Sequence, residues 1–206
     1  MIAVVDYGMG NLRSVERALS FVGAQAVLTA EPETVRRAEK VVVPGVGAFQ
    51  DAMSNLTSTG LVEIIRDGIA AGKPFLGICL GLQMLFDESE EDGLHKGLGI
   101  VPGRVVRFDG RTPDGQKLKV PHIGWNQLLP RGACPLLSGM PEGAFFYFDH
   151  SYYVRPDDRS VIAGETDYGI RFTSVIWRQN VYGTQFHPEK SQAIGLTILK
   201  NFAALR

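Results

Sequence analysis

Ile2–Val5 is an unbroken apolar run rich in β-branched residues, the signature of a strand buried on both faces. It ends in a glycine-rich turn, Asp6-Tyr7-Gly8-Met9-Gly10-Asn11, where Asn11 is placed to cap a helix. Leu12, Val15, Leu19 and Val22 then recur at helical spacing until Gly23 stops them. Ala26–Thr29 reads as a second strand, residues 33–39 as a charged helical piece, and 41–43 as another buried strand that ends in Pro44-Gly45-Val46-Gly47. Phe49, Met53 and Leu56 predict a helix that breaks near Gly60, and Leu61, Ile64, Ile65 and Ile69 predict the next. A strand is expected over 75–78 and a helix over 82–88.

Such alternation predicts an α/β fold: a largely parallel twisted sheet with helices on both faces. Between residues 97 and 178 the pattern changes to short strands and turns, at 101–108, 143–148, 161–163 and 174–177, so antiparallel strands should extend the sheet. A further strand is expected over 180–186. Ser191 then caps a last helix with Ile194, Ile198, Phe202 and Leu205 on one face. There is no internal repeat, low-complexity tract or linker, and a single domain over 1–206 is expected.

Composition narrows the class of protein. Of 206 residues, 45% are apolar and 21% charged, which excludes disordered, collagenous and coiled-coil chains. Twenty-one basic against twenty-two acidic residues leave a net charge of −1, so the chain as a whole has no electrostatic reason to seek nucleic acid or membranes. Two cysteines, Cys79 and Cys134, make no disulfide framework and fit a reducing compartment. The first residues lack a basic leader region, and the longest charge-free apolar-rich stretch, 74–86, falls short of the roughly 20 residues a membrane span needs. A cytoplasmic location is expected, which makes the sequon at Asn55-Leu56-Thr57 uninformative.

Gly77-Ile78-Cys79-Leu80-Gly81 follows a buried strand and opens a helix. This is the G-x-nucleophile-x-G elbow with cysteine as nucleophile. Glycines two residues to either side let strand and helix approach closely, and a helix N-terminus favours thiolate over thiol. The Leu80 N–H, just after the nucleophile, can face a developing oxyanion. Cys134, in a loop without an elbow or a base, reads as structural. Of the histidines His95, His122, His150 and His187, the last follows a strand in Gln185-Phe186-His187-Pro188-Glu189, where Glu189 can lie on the same side as His187 and orient its ring. Gln83 stands one turn after Cys79, and Val46 and Gly47 follow a strand parallel to the nucleophile strand, where they can offer a second oxyanion N–H. No metal-ligand spacing is present, and neither metal nor cofactor is expected.

Taken together, these segments resemble the class I (triad-type) glutamine amidotransferases across essentially the whole chain. The elbow and His-Pro-Glu are general to that class. Pro44-Gly-Val-Gly, Pro121-His-Ile-Gly-Trp-Asn126 and His150-Ser-Tyr-Tyr153 narrow the resemblance to the glutaminase-subunit family of imidazole glycerol phosphate synthases in histidine biosynthesis. Anthranilate-type relatives usually carry Pro-Gly-Pro-Gly and a histidine after the elbow, where Val46 and Leu82 stand here. The resemblance implies that Cys79 attacks L-glutamine, that His187 shuttles protons and that Glu189 orients it. It implies an oxyanion hole from Leu80 and a reoriented Val46 or Gly47, and glutamine held by Gln83, Gly47, Ser151 and Tyr152. It further implies that Trp125, Tyr147 and Lys190 face a (β/α)8-barrel cyclase, the partner in a heterodimer, to which the ammonia passes. Asp149 departs from an expected apolar position. Three other readings of the same elbow are a glutaminase subunit of another class I amidotransferase pathway, a cysteine hydrolase or peptidase, which leaves Gln83 and the 150–152 segment without a role, and an inactive binding module, against which the complete Cys79, His187 and Glu189 set argues.

Overall fold

Ile2 and Val4 of the first strand pack into one apolar cluster, and Ala3 and Val5 into a second on the opposite face, so the strand is buried on both sides. The computed structural model describes residues 1–205; Arg206, the last residue of the expected single domain, lies outside the described residues. In chain order the first half reads β1 (Ile2–Val5), α1 (Leu12–Phe21), β2 (Ala26–Thr29), α2 (Pro32–Arg37), β3 (Lys40–Gly45), α3 (Phe49–Ser58), α4 (Leu61–Ala70), β4 (Phe75–Cys79), α5 (Leu80–Gln83), β5 (Phe86–Ser89) and β6 (His95–Lys96). The second half reads β7 (Val101–Arg107), β8 (His122–Gln127), β9 (Leu129–Pro130), β10 (Phe145–His150), β11 (Tyr152–Pro156), β12 (Ile162–Asp167), β13 (Arg171–Arg178), β14 (Val181–Thr184) and α6 (Gln192–Ala204).

The main sheet runs β2-β1-β3-β4-β14-β13-β11-β7-β5-β6, with β12 and β9 attached beside β13. From β2 to β14 the strands are parallel, and β13, β11 and β7 continue the sheet antiparallel, as the change of pattern after residue 97 predicts. Helices α1 and α6 contribute to the cluster on one face, and α2, α3 and α4 to that on the other. Apart from this sheet, β8 and β10 pair only with each other as an antiparallel ribbon. No helix among the described residues is long and apolar enough to cross a membrane.

The helix expected over 82–88 does not form. The chain leaves α5 after Gln83 and becomes strand β5, parallel to β7. Leu82, Met84, Leu85 and Phe86 are all fully buried, and an apolar run with no polar face has no period from which to tell helix from strand. Tertiary bonds decide: the Met84 carbonyl accepts from Leu98 N–H at 2.7 Å and the Leu85 carbonyl from Ile100 N–H at 2.9 Å.

Gly68 sits inside α4, where an added Cβ would meet Lys73 Cδ at an ordinary 3.5 Å. Gly68→Ala should therefore raise stability by about 0.5–1 kcal/mol, through helix propensity alone. Urea unfolding checks this, and a lower midpoint would mean that the glycine is required by packing.

Candidate active site

Strand β4 ends on Cys79, whose φ of 55° and ψ of −107° form a strained turn for a residue with a side chain. Strain of this kind persists only where surrounding packing fixes it. A Cβ on Gly81 would stand 1.8 Å from the Val43 carbonyl oxygen, and one on Gly77 would stand 2.4 Å from the Gly81 carbonyl oxygen. Both elbow glycines are thus demanded by backbone meeting backbone. Helix α5 is a single turn, so the expected support for thiolate from a helix dipole reduces to the few free N–H groups at its start.

Parallel register gathers the other pieces. Gly45 of β3 lies beside Cys79, which sets Val46 and Gly47 next to the elbow, and Thr184 of β14 lies beside Ile78, which brings the chain to His187 at the same sheet edge. His187 Nδ1 is 2.9 Å from Glu189 Oε1, and both side chains are buried. Burial opposes a charge on the His187 ring. The neighbouring Cys79 sulfur, through its charge and a hydrogen bond, together with Glu189, outweighs burial and raises the ring to about 10. The shift favours the charged form of the ring, the form that can hand a proton to a leaving amine.

Two expected helix caps do something else. Asn11 precedes α1 but caps nothing with its side chain; its Nδ2 donates to Glu189 Oε1 at 3.3 Å. The hydroxyl of Ser191, before α6, donates to the His187 carbonyl at 2.6 Å and accepts from the Tyr147 N–H at 3.0 Å. His187 N–H in turn donates to the Tyr147 carbonyl at 2.9 Å. Sequence reasoning gave neither residue a role at the site, because a side chain before a helix reads first as a cap.

Cys79, His187, Val46, Gly47, Leu80, Gln83, Ser151 and Tyr152 all line one cavity of about 260 Å³, near the small end of ligand pockets. Gln83 is buried, with both amide hydrogens engaged: Nε2 donates to the Tyr152 carbonyl at 3.1 Å and to Gln185 Oε1 at 3.3 Å. Gln83 therefore offers the cavity its oxygen. Gln185 Nε2 reaches Cys79 Sγ at 3.7 Å. Glu91 also lines the cavity, accepts from Phe49 N–H at 2.9 Å, and has its carboxyl pushed up by partial burial. It was invisible in the sequence because it sits in the acidic run 87–92, which reads as solvated surface. Trp125 and Tyr147 lie opposite one another on the β8–β10 ribbon, their rings 6.3 Å apart, and Lys190 Nζ stands 5.5 Å from the Tyr147 ring centre. Ile123, Phe145 and Asp149 share that exposed face. Cys134 is buried before a turn of 3-10 helix at Pro135–Leu137 and lines no part of the cavity.

Residues 3–205 match the family described as Glutamine amidotransferase class-I. The chain belongs to that family. Among curated relatives, this class I amidotransferase is 56% identical over 203 residues to "Imidazole glycerol phosphate synthase subunit HisH" of Syntrophotalea carbinolica, covering 98% of each chain. It is 54% identical to the protein of the same description from Geobacter sulfurreducens, covering 100% of this chain and 99% of that one. A solved glutamine amidotransferase superposes with a TM-score of 0.77 over the full length of both chains at 18% identity, which speaks for the fold alone. The activity that goes with the family is hydrolysis of glutamine to release ammonia.

Two further histidines of the amidotransferase are buried, and one of them, His150, lines the same cavity as Cys79 and His187. His122 Nδ1 is 3.0 Å from His150 Nε2, and burial lowers the two rings to about 4 and about 3. The unfolded chain binds protons at both below about pH 6.5, whereas the folded chain does not, so stability contributed by keeping them neutral is present above pH 6.5 and is lost as pH falls toward 4. Each histidine should add a slope of up to about 1.4 kcal/mol per pH unit in that window. His187 acts with the opposite sign: its share is present below about pH 6.5 and is lost as pH rises through about 10. Urea melts of the wild type and His122→Phe between pH 7 and 4.5 check the acid limb. The variant should show the shallower slope, and parallel curves would contradict a neutral His122.

Proposed function

We propose that the chain is the glutaminase subunit of an imidazole glycerol phosphate synthase in the cytoplasm. It hydrolyses L-glutamine to glutamate and ammonia, and the ammonia passes to a (β/α)8-barrel cyclase subunit. The cyclase uses it to convert a phosphoribulosyl-formimino substrate to imidazole glycerol phosphate and the aminoimidazole-carboxamide ribotide. The observation that carries this reading is the meeting of Cys79, on its strained elbow, with the His187–Glu189 pair in a cavity sized for an amino acid. The relatives at 54–56% identity, named for that synthase, support the pathway.

Chemistry follows from the site. The Cys79 thiolate adds to the side-chain amide carbon of glutamine, and the resulting oxyanion is received by the Leu80 N–H and by an N–H of the Val46-Gly47 loop. His187 gives its proton to the amide nitrogen, the C–N bond breaks, and ammonia leaves a glutamyl thioester. Now neutral, His187 takes a proton from water, whose oxygen attacks the thioester and frees glutamate and the sulfur. Glu189 fixes the ring and balances its charge. The Gln83 oxygen, Ser151 and Tyr152 hold the amino-acid part of glutamine, and the Glu91 carboxylate suits its α-ammonium group.

Ammonia released into water becomes ammonium and ceases to be a nucleophile, which is the reason for a sealed partner. The exposed face of Ile123, Trp125, Phe145 and Tyr147, with Lys190 beside it, offers the aromatic and cationic surface that interfaces favour. Glutamate release, measured with and without the barrel cyclase, tests the function: the partner should stimulate it. Strong activity alone, unchanged by the partner, would overturn the gated reading. Lys190→Ala should weaken the complex about tenfold, the loss of one well-placed interfacial charge, with less effect on the isolated subunit. An unaltered complex with unaltered stimulation would remove Lys190 from the interface.

A further inference from the structure

Hydrogen-bond donors and acceptors along one buried path can be assigned without ambiguity. His150 Nδ1 faces the Tyr152 carbonyl at 2.7 Å, so that nitrogen must carry the proton, and Nε2 of the same ring must accept. The donor to that Nε2 is His122 Nδ1, at 3.0 Å, which leaves His122 Nε2 as an acceptor for Asn126 Nδ2 at 3.2 Å. Asn126 gives its other Nδ2 hydrogen to the Asp167 carbonyl at 2.8 Å and receives Gln127 N–H on Oδ1 at 2.7 Å, so its orientation is fixed too. At the far end the Tyr152 carbonyl also accepts from Gln83, Gln83 donates to Gln185, and Gln185 donates to the Cys79 sulfur. The path starts on β8, whose Trp125 and Ile123 are exposed, and ends on the nucleophile.

From this geometry we infer that His122 and His150 are positioning residues: two neutral imidazoles, each protonated on Nδ1, that tie the β8–β10 ribbon to the wall of the glutamine cavity and carry the partner's effect to Cys79. This inference rests on the proposed function for its partner, though not for its proton assignments. No strand pairing holds the ribbon to the main sheet, since β8 and β10 pair only with each other; its ties are individual bonds, from Tyr147 to the His187–Ser191 stretch and from Asn126 to Asp167. The rings are held to the task by packing. His122 stacks on Tyr168 at 3.9 Å and on Phe148 at 4.8 Å, and His150 sits 5.2 Å from Phe172. His122 on β8 and His150 opposite it on β10 move together, so a ribbon displaced against the sheet must either carry the Tyr152 carbonyl with it or break the buried bond that His150 Nδ1 donates to that carbonyl.

Two measurements test this. In the wild-type protein, the imidazole nitrogen shifts of His122 and His150 at pH 7 should report the neutral Nδ1–H tautomer for both. An imidazolium, or an Nε2–H tautomer at either ring, would overturn the relay. In complex with the barrel cyclase, His122→Phe keeps the stacking and removes both hydrogen bonds. Partner-stimulated glutamate release should fall about tenfold, while the unstimulated rate and the affinity for the cyclase stay within about twofold. His122→Asn, whose amide can still donate toward His150, should recover most of the stimulation. Full stimulation in a folded His122→Phe complex, or an equal loss in the isolated subunit, would overturn the relay. Should that variant not fold, the nitrogen shifts decide alone. A wild-type complex without any stimulation would sink the proposed function instead, and the tautomers would still be read independently.

Discussion

Cys79→Ala should eliminate glutamine-dependent synthesis in the complex, by about 10⁴-fold or more as for other nucleophile deletions, while synthesis from added ammonium salt proceeds at the wild-type rate. The sulfur is the atom on which the rest of the site converges: the His187 ring, Gln185 Nε2 and the Asp149 carbonyl oxygen, 3.9 Å away, all surround it. No other cysteine can replace it, because Cys134 lies outside the cavity. The cyclase reaction needs ammonia but not its source, so bypass with ammonium separates loss of nitrogen extraction from damage to the complex. Parallel assays of glutamine- and ammonium-dependent turnover on one preparation would settle it. Loss of both activities would mean that Cys79 serves the complex in some way other than as a nucleophile.

The second large effect should come from a single methyl group. Gly81→Ala places a carbon 1.8 Å from the Val43 carbonyl oxygen, which belongs to the rigid parallel strand β3. Neither β3 nor α5 can retreat without moving the elbow. The cost should be about 3 kcal/mol or more, the range of severe overpacking, and the glutaminase should be lost with it. For a chain of this length that corresponds to a melting point lower by about 6–12 °C. Gly68→Ala, which changes the same atoms in an open helical site, is the natural companion. If Gly81→Ala melted at the wild-type temperature with activity intact, the close approach of strand and helix would not be what holds Cys79 in its strained turn.

Much of this arrangement was legible before any coordinates. Strands β1, β3 and β4 announce themselves as apolar runs because both faces of a parallel sheet are covered, and the elbow and the His-Pro-Glu segment stand at strand ends where such sheets gather their chemistry. What failed to show has physical reasons. The stretch after Gln83 has no polar face to give it a period, so its turn into strand β5 depends on bonds to residues 98–101. The β8–β10 ribbon was only half visible, because Ile123, Trp125 and Phe145 on its outward face blur the alternation of polar and apolar residues that marks a half-buried strand. Asn11 and Ser191 act across 178 and 44 residues of sequence, on Glu189 and Tyr147, and no local pattern encodes such distances. Glu91 was lost among neighbouring acids.

Tyr147 offers a route to silencing such an enzyme. Both polar groups of its backbone grip the stretch that carries His187, while its ring stands on the outer side of the same strand. A small molecule wedged against that ring would act on the position of His187 without competing with glutamine for the cavity. Antagonists of this type would escape the usual penalty of active-site drugs, which lose potency as substrate accumulates.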